Sequence, residues 1–304
     1  MEQIFPILPS SCESHSETYQ EGERKLPTCD LVDVFCDGPL SGNPLGVVHG
    51  GDDLTTEQMQ AFTNWLGFSE TTFLLPPSDA AADYRVRIFY PGGELPFAGH
   101  PTLGSCHSWL AAGGTPIGEG RVVQECGIGL VEIRQSGGKL AFKAPELLKY
   151  EPLTEEERAT AIALTGIDEG ALVEAIHVVN GPQWQLLRLK SADDVLAAKP
   201  ASRAPLGTDI GLAGPHEAGF ERDWELRAFF ADSFGRLIED PVTGSFNAGV
   251  AIHLFEEGLA QGAYRAGQGR KIGTNGLVSC EQDADGAVWI GGESRIVSRQ
   301  GVLA

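Results

Sequence analysis

Two short stretches of the chain carry residues that could act on one substrate. Residues 94–105 read ELPFAGHPTLGS and residues 239–249 read EDPVTGSFNAG. Each sets a hydrogen-bonding side chain, His100 or Asp240, directly before a proline. Proline suits the first helical position, because its missing N–H would have no partner there. The spacing therefore predicts His100 and Asp240 as N-cap residues of two helices. Asp is a favoured cap, so Asp240 alone has a purely structural reading. Histidine is not a favoured cap, and a helix N-terminus disfavours an imidazolium. A neutral His100 could donate or accept a hydrogen bond to a ligand.

A third candidate is Glu70, in FSETTF at 68–73. A carboxyl group among aromatic side chains has its pKa raised by desolvation. That matches it to abstracting and returning a carbon-bound proton. Two helix N-termini facing one cleft would present backbone N–H groups suited to a carboxylate ligand. Gly99, Gly104 and Gly244 would let such a ligand approach the backbone closely.

These residues need elements to hold them. Residues 31–35 and 45–48 read as strands, separated by the turn-rich DGPLSGNP. Thr55 with Gln58 resembles a capping box, Met59, Phe62 and Leu66 share a helical face, and Gly67 stops the helix. Residues 71–75 read as a strand, so Glu70 stands at a helix-to-strand junction. The pattern then echoes. Leu54-Thr55-Thr56-Glu57 leads to Gly67 at the same offset as Leu153-Thr154-Glu155-Glu156 leads to Gly166. A strand at 85–90 precedes HPTLGS, and a strand at 226–230 precedes DPVTGS. Proline, glycine and serine coincide within those two six-residue units. The two echoes in one order predict two related α+β halves.

Composition narrows the function. The 304 residues carry 42 acidic and 22 basic side chains, a net charge of −20. Such a surface repels nucleic acid and anionic membrane, and no basic stripe offsets it. No apolar run is long enough to span a membrane. The six cysteines form no CxxC pair and no zinc spacing. They read as reduced thiols of a cytoplasmic protein. There is no GxGxxG, P-loop, GxSxG or HExxH pattern.

Taken together, DVFCDGPLSGNPLGVV at 33–48, FSETTF at 68–73, RIFYPGGELPFAGHPTLGS at 87–105 and EDPVTGSFNAG at 239–249 resemble the phenazine biosynthesis isomerase (PhzF-like) family, related in fold to diaminopimelate epimerase. The resemblance covers about residues 31 to 300. It implies an α+β fold of two pseudo-symmetric halves, each a curved, mostly antiparallel sheet or barrel around a central helix. It implies an active site between them, a homodimer, and no metal, nucleotide or pyridoxal cofactor. Residues 30–146 are then the N-terminal half, 147–289 the C-terminal half, and 290–304 a candidate return to the first. Residues 1–29, polar and rich in Ser, Glu and Pro, are expected to form a poorly ordered tail.

By the resemblance, Glu70, His100 and Asp240 are the catalytic residues and Gly99 and Ser245 bind substrate; Gly244, Asn43 and Ser41 are expected to bind it with them. Neither helix start offers a cysteine, which argues against the two-thiol chemistry of the related epimerases. One departure stands out. Where the family often shows QGxxxGRPS, this chain has Thr274 and Asn275 in place of Arg and Pro. That departure bears on the family's best-known substrate, a dihydro-hydroxyanthranilate. The expected activity is a cofactor-independent shift of a proton and double bond in a small unsaturated carboxylic acid, in secondary metabolism. The rivals are a single-carbon epimerase and a metabolite-binding homologue without chemistry.

Overall fold

The computed structural model describes residues 26–136 and 139–303. The first elements are β1 (Thr28–Val34), β2 (Asn43–His49), α1 (Thr56–Leu66), β3 (Glu70–Leu75), β4 (Tyr84–Tyr90), β5 (Gly93–Leu95) and α2 (Gly99–Ala111). They are followed by β6 (Arg121–Cys126), β7 (Gly129–Ser136), β8 (Lys139–Lys143), α3 (Glu155–Thr165), β9 (Leu172–His177), β10 (Gln185–Leu189) and α4 (Ala192–Ala197). The chain ends with β11 (Asp209–Pro215), β12 (Trp224–Ala231), β13 (Leu237–Asp240), α5 (Gly244–Glu256), β14 (Ala263–Gln268), β15 (Gly276–Gln282), β16 (Val288–Gly292) and β17 (Ser294–Val302).

All of these strands join one hydrogen-bonded sheet, and its pairing order recurs. β1 and β2 pair antiparallel, and β2 runs parallel to β3 through the crossover helix α1. β4 pairs antiparallel with β3 and β5 and parallel with β6, through α2; β6–β7–β8 then meander. The same series follows from β9 to β16. β9 is antiparallel to β10, and β10 is parallel to β11 through α4. β12 is antiparallel to β11 and β13 and parallel to β14 through α5, before β14–β15–β16 meander. Two antiparallel seams, β1 with β17 and β8 with β16, tie the first series to the end of the chain.

The helices fall into two kinds. α1 and α3 are surface helices with matching ends. Thr55 with Gln58 and Thr154 with Glu157 each form a complete capping box, and Gly67 and Gly166 close them at φ 73° and 62°. A left-handed residue there suits glycine, which has no Cβ to clash. The twin caps do not mark equivalent positions, however. α1 lies between β2 and β3, whereas the helix in that place of the second series is α4. The first sequence echo therefore reflects shared capping chemistry, and only the second, around α2 and α5, coincides with the recurring pairing order.

α2 and α5 are of the other kind. Gly99 to Cys106 are all buried, as are Phe246 to Ala251. A helix apolar on every side belongs inside a core. α2 packs against β1, β2, β3, β8 and β17, and α5 against β15 and β16. Leu103 and Phe246 belong to one continuous cluster with Val34, Leu45, Phe142, Leu226 and Ile290. Truncating Phe246 to Ala would cost about 3–5 kcal/mol.

Three expectations shift. Most of the expected tail, residues 1–25, lies outside the described residues, and β1 already begins at Thr28. The N-caps are Ala98 and Thr243, not His100 and Asp240. Pro101 is thus the third helical residue, where its missing N–H is still one that would have lacked a partner. Asp240 instead ends β13, opposite Ala228, and its carboxylate accepts from Asn43, distant in sequence, and from the hydroxyl of Thr243, three residues on.

Candidate active site

The parallel pairing of β2 and β3 sets Leu45 opposite Glu70, and so brings the start of β2 beside the start of β3. Glu70 enters β3 three residues after the left-handed turn at Gly67. His100 stands in the first turn of α2, its Nδ1 3.5 Å from Glu70 Oε2. Asp240 reaches the same place from the end of β13. Asn43, the first residue of β2, donates from Nδ2 to Asp240 Oδ1 at 3.2 Å and to the Val242 carbonyl at 2.9 Å. Thr243 donates its hydroxyl to Asp240 Oδ2 at 2.6 Å.

Burial governs the charges. The Glu70 side chain keeps 18% exposure and that of His100 only 4%. Burial, and then the negative charge of Asp240, push the Glu70 carboxyl well above the usual carboxylate range. Burial also pushes Asp240 up, to about 6, against the hydrogen bonds of Thr243, Asn43 and Ser69 that favour its ionised form. Burial drives His100 down to about 3, with the Pro44 backbone pulling weakly the other way. His100 is therefore neutral near pH 7 and makes no ion pair with Glu70.

Glu70 Oε2, His100 Nε2 and Asn43 Oδ1 are buried here without a hydrogen-bond partner. Each such atom costs about 1–3 kcal/mol. A polar ligand that met them would recover part of that cost.

The other expected site residues divide. Gly99 and Gly244 are packed against each other, and a Cβ on Gly99 would lie 2.7 Å from the Phe142 ring and 3.0 Å from Gly244 Cα. Their lack of a side chain is thus required by the meeting of α2 and α5 themselves. Ser245 follows in the first turn of α5. Its Oγ accepts from Trp184 Nε1 at 3.0 Å, which leaves its own hydrogen to donate, and its carbonyl accepts from Asn180 Nδ2 at 2.8 Å. Ser41 is committed to its own loop. Its Oγ accepts from the Asp37 N–H and donates to the Gly38 carbonyl. Its carbonyl accepts from the Asn275 N–H at 2.7 Å, joining this loop to the segment with Thr274 and Asn275.

Several residues of the site had no assigned role in the sequence. Thr243 lies inside DPVTGS, Gln268 opens the QGxxxG stretch, and Asn247 sits in α5. None carries a local signal for its partner. The buried thiols are inert by comparison: burial pushes Cys29, Cys106 and Cys280 to about 12. Among the described residues, no group of three or more His, Cys, Asp or Glu side chains could hold a metal ion. None of the described helices is long and apolar enough to cross a membrane.

The family model described as phenazine biosynthesis-like protein matches residues 32–300. Trans-2,3-dihydro-3-hydroxyanthranilate isomerase of Pseudomonas fluorescens is 34% identical over 231 residues, 75% of this chain and 80% of the relative. Antisense-enhancing sequence 1 of Schizosaccharomyces pombe is 30% identical over 285 residues, 87% of this chain and 94% of the relative. A Bacillus anthracis phenazine biosynthesis protein of the PhzF family superposes with a TM-score of 0.75 at 22% identity, covering 91% of this chain and 99% of that one.

Proposed function

The chain belongs to the phenazine biosynthesis-like (PhzC-PhzF) family, and on that footing we propose that it is an isomerase that moves a proton, and with it a double bond, within a small unsaturated carboxylic acid. The observation that carries this reading is the buried Glu70 carboxyl, whose Oε2 has no partner and faces His100 and Asp240. A carboxyl group kept out of water and pushed toward neutrality can both give and take a proton.

In this reading Glu70 carries the proton between two carbons, and needs no cofactor to do so. His100, which is neutral, and Asp240 orient the substrate and assist protonation. Ser245 retains a hydroxyl hydrogen for the substrate carboxylate. The unpaired N–H groups at the starts of α2 and α5 add the positive potential that a chain of net charge −20 otherwise lacks. They also help to hold the substrate carboxylate.

The recurring pairing order of β1–β8 and β9–β16 supports two pseudo-symmetric halves, with α2 and α5 as their central helices and the site where the helix starts meet. A homodimer and a substrate from secondary metabolism belong to the same reading and rest on the family resemblance; a cytoplasmic setting rests on the free cysteines. The segment with Thr274 and Asn275 touches Ser41 and, through Gly269, Pro241. A change there is expected to alter which acid is accepted.

The test is proton exchange. The protein is incubated in D₂O with a panel of unsaturated carboxylic acids, beside Glu70→Gln, and followed by NMR. Deuterium entering a carbon-bound position only with the parent protein supports the reading. The labelled position, with the chirality of that carbon, separates a double-bond shift from epimerisation. Binding without exchange across the panel would favour a ligand-binding homologue.

A further inference from the structure

Two buried carboxyl groups beside one another share a proton near neutral pH, and the partners around each decide which holds it. The polar groups around Asp240 have fixed donor directions. Asn247 Nδ2 meets the Thr243 carbonyl at 2.9 Å, an acceptor that settles the orientation of its amide, and also donates to Gln268 Oε1 at 2.9 Å. The Thr243 N–H donates to the same Gln268 Oε1 at 3.1 Å. Gln268 must therefore present Nε2 on its other side, where it donates to Thr243 Oγ1 at 3.0 Å and to the Asp240 carbonyl at 3.1 Å. With its oxygen already accepting, the Thr243 hydroxyl turns its one hydrogen to Asp240 Oδ2. On the other oxygen, Asn43 is oriented by the Val242 carbonyl and can only donate.

Both Asp240 oxygens thus accept from oriented donors, with Ser69 as a further partner, and hydrogen bonds of this kind favour the ionised form. Glu70 is the opposite case: its Oε2 is buried and accepts from no donor. We infer that the chain Asn247–Gln268–Thr243, together with Asn43, locks Asp240 as an ionised acceptor and places the proton of the pair on Glu70. Gln268, Thr243, Asn247 and Asn43 are then positioning residues for the reaction proposed above. The raised pKa of Glu70 and the lower one of Asp240, near 6, agree with this order.

The consequence is the sequence of steps. Glu70 begins as an acid. It gives its proton to one substrate carbon, where the new C–H bond forms from a π pair. The Glu70 carboxylate then removes a proton from a second carbon, whose C–H pair becomes the new double bond. Glu70 ends protonated, as it began. The positive charge that forms between the two steps is faced by the carboxylates of Glu70 and Asp240. His100, the third titratable group here, stays neutral throughout.

The test reads the carboxyl carbons directly, in the substrate-free protein. Samples carry ¹³C at the side-chain carboxyl of Glu or of Asp, and Glu70→Gln and Asp240→Asn identify the two resonances. Near neutral pH, Glu70 is expected as the neutral acid and Asp240 as the carboxylate. The reverse placement, or both groups in one state, would overturn the inference. Gln268→Met removes the donor to Thr243 at similar volume. It is expected to move Asp240 toward the neutral acid and Glu70 toward the carboxylate, and to lower kcat at least tenfold with KM little changed. Unmoved resonances in a folded Gln268→Met protein would reduce Gln268 to a packing role and remove the lock. Should that variant not fold, the parent spectra alone decide. Because no substrate is needed, proton placement is answered even if every acid in the exchange panel fails. Exchange activity with the reverse placement would keep the isomerase and discard the acid-first order.

Discussion

Gly99 and Gly244 touch through their backbones: a Cβ on Gly244 would stand 2.9 Å from Gly99 Cα and 3.0 Å from the His100 nitrogen. The two buried helices meet here with no side chain between them. Gly244→Ala must therefore push backbone from backbone, which no rotamer change can relieve. Overpacking of this kind costs about 1–3 kcal/mol. The expected result is a lower melting temperature together with slower proton exchange, because the displaced residue is His100. Thermal unfolding and the D₂O assay measure the two.

Glu70→Gln should lower turnover by about 10²–10⁴-fold, the usual contribution of a proton carrier, with binding little affected. It also carries a stability signature. The folded-state pKa of Glu70 is raised, so its contribution is fully present below about 4.5 and is lost as pH rises through the raised value. Glutamine has no such loss. The stability difference, variant minus parent, should grow in the variant's favour between acid and mildly alkaline pH. Denaturant melts at several pH values would read it; a flat difference would mean that Glu70 is not desolvated.

His100 predicts the opposite slope. Its folded-state pKa is depressed from 6.5 to about 3. Its contribution is present above 6.5 and is lost as pH falls toward 3. At pH 5 the loss is on the order of 2 kcal/mol relative to pH 7. Ring resonances of His100 should not titrate between about pH 5 and 8. The activity should instead decline on the acid side as Asp240 takes a proton, near 6. A His100 ring titrating near 6.5 would contradict the burial argument.

Thr55→Ala and Thr154→Ala should each cost about 1 kcal/mol, since each breaks one complete capping box. The two helices lie in separate hydrophobic clusters, one with Met59 and one with Ala161. The double variant should therefore show the sum of the two costs, within about 0.5 kcal/mol. Circular dichroism melts of the four proteins check both the size and the additivity.

Much of the local structure was legible because its causes lie within a few residues of their effects. The capping box at Thr55 and the helix stop at Gly67 can be read from spacing alone, as can the strands around Val32, Thr72 and Ile88. The pairing of HPTLGS with DPVTGS picked out Glu70's two companions from opposite ends of the chain. Local propensity misled where a distant partner outweighed it. Asp240 before Pro241 reads as an N-cap, yet its carboxylate is taken by Asn43, 197 positions away in sequence, and by Thr243. The helix consequently starts at Gly244, and α2 starts one residue before the histidine expected to cap it.

The sequence by itself determined which residue types could do the chemistry and where the two capped surface helices begin and stop. The tertiary structure decided the rest. It alone set Glu70 beside Asp240 by pairing β2 with β3 and ending β13 beside Asn43. It alone brought Gly99 and Gly244 together as the junction of two helices, and set Gln268 beside Asp240. Capping is an exchange between neighbours along the chain and leaves a mark in the sequence. A hydrogen bond between side chains 200 residues apart leaves none, because only folding brings its donor and acceptor together.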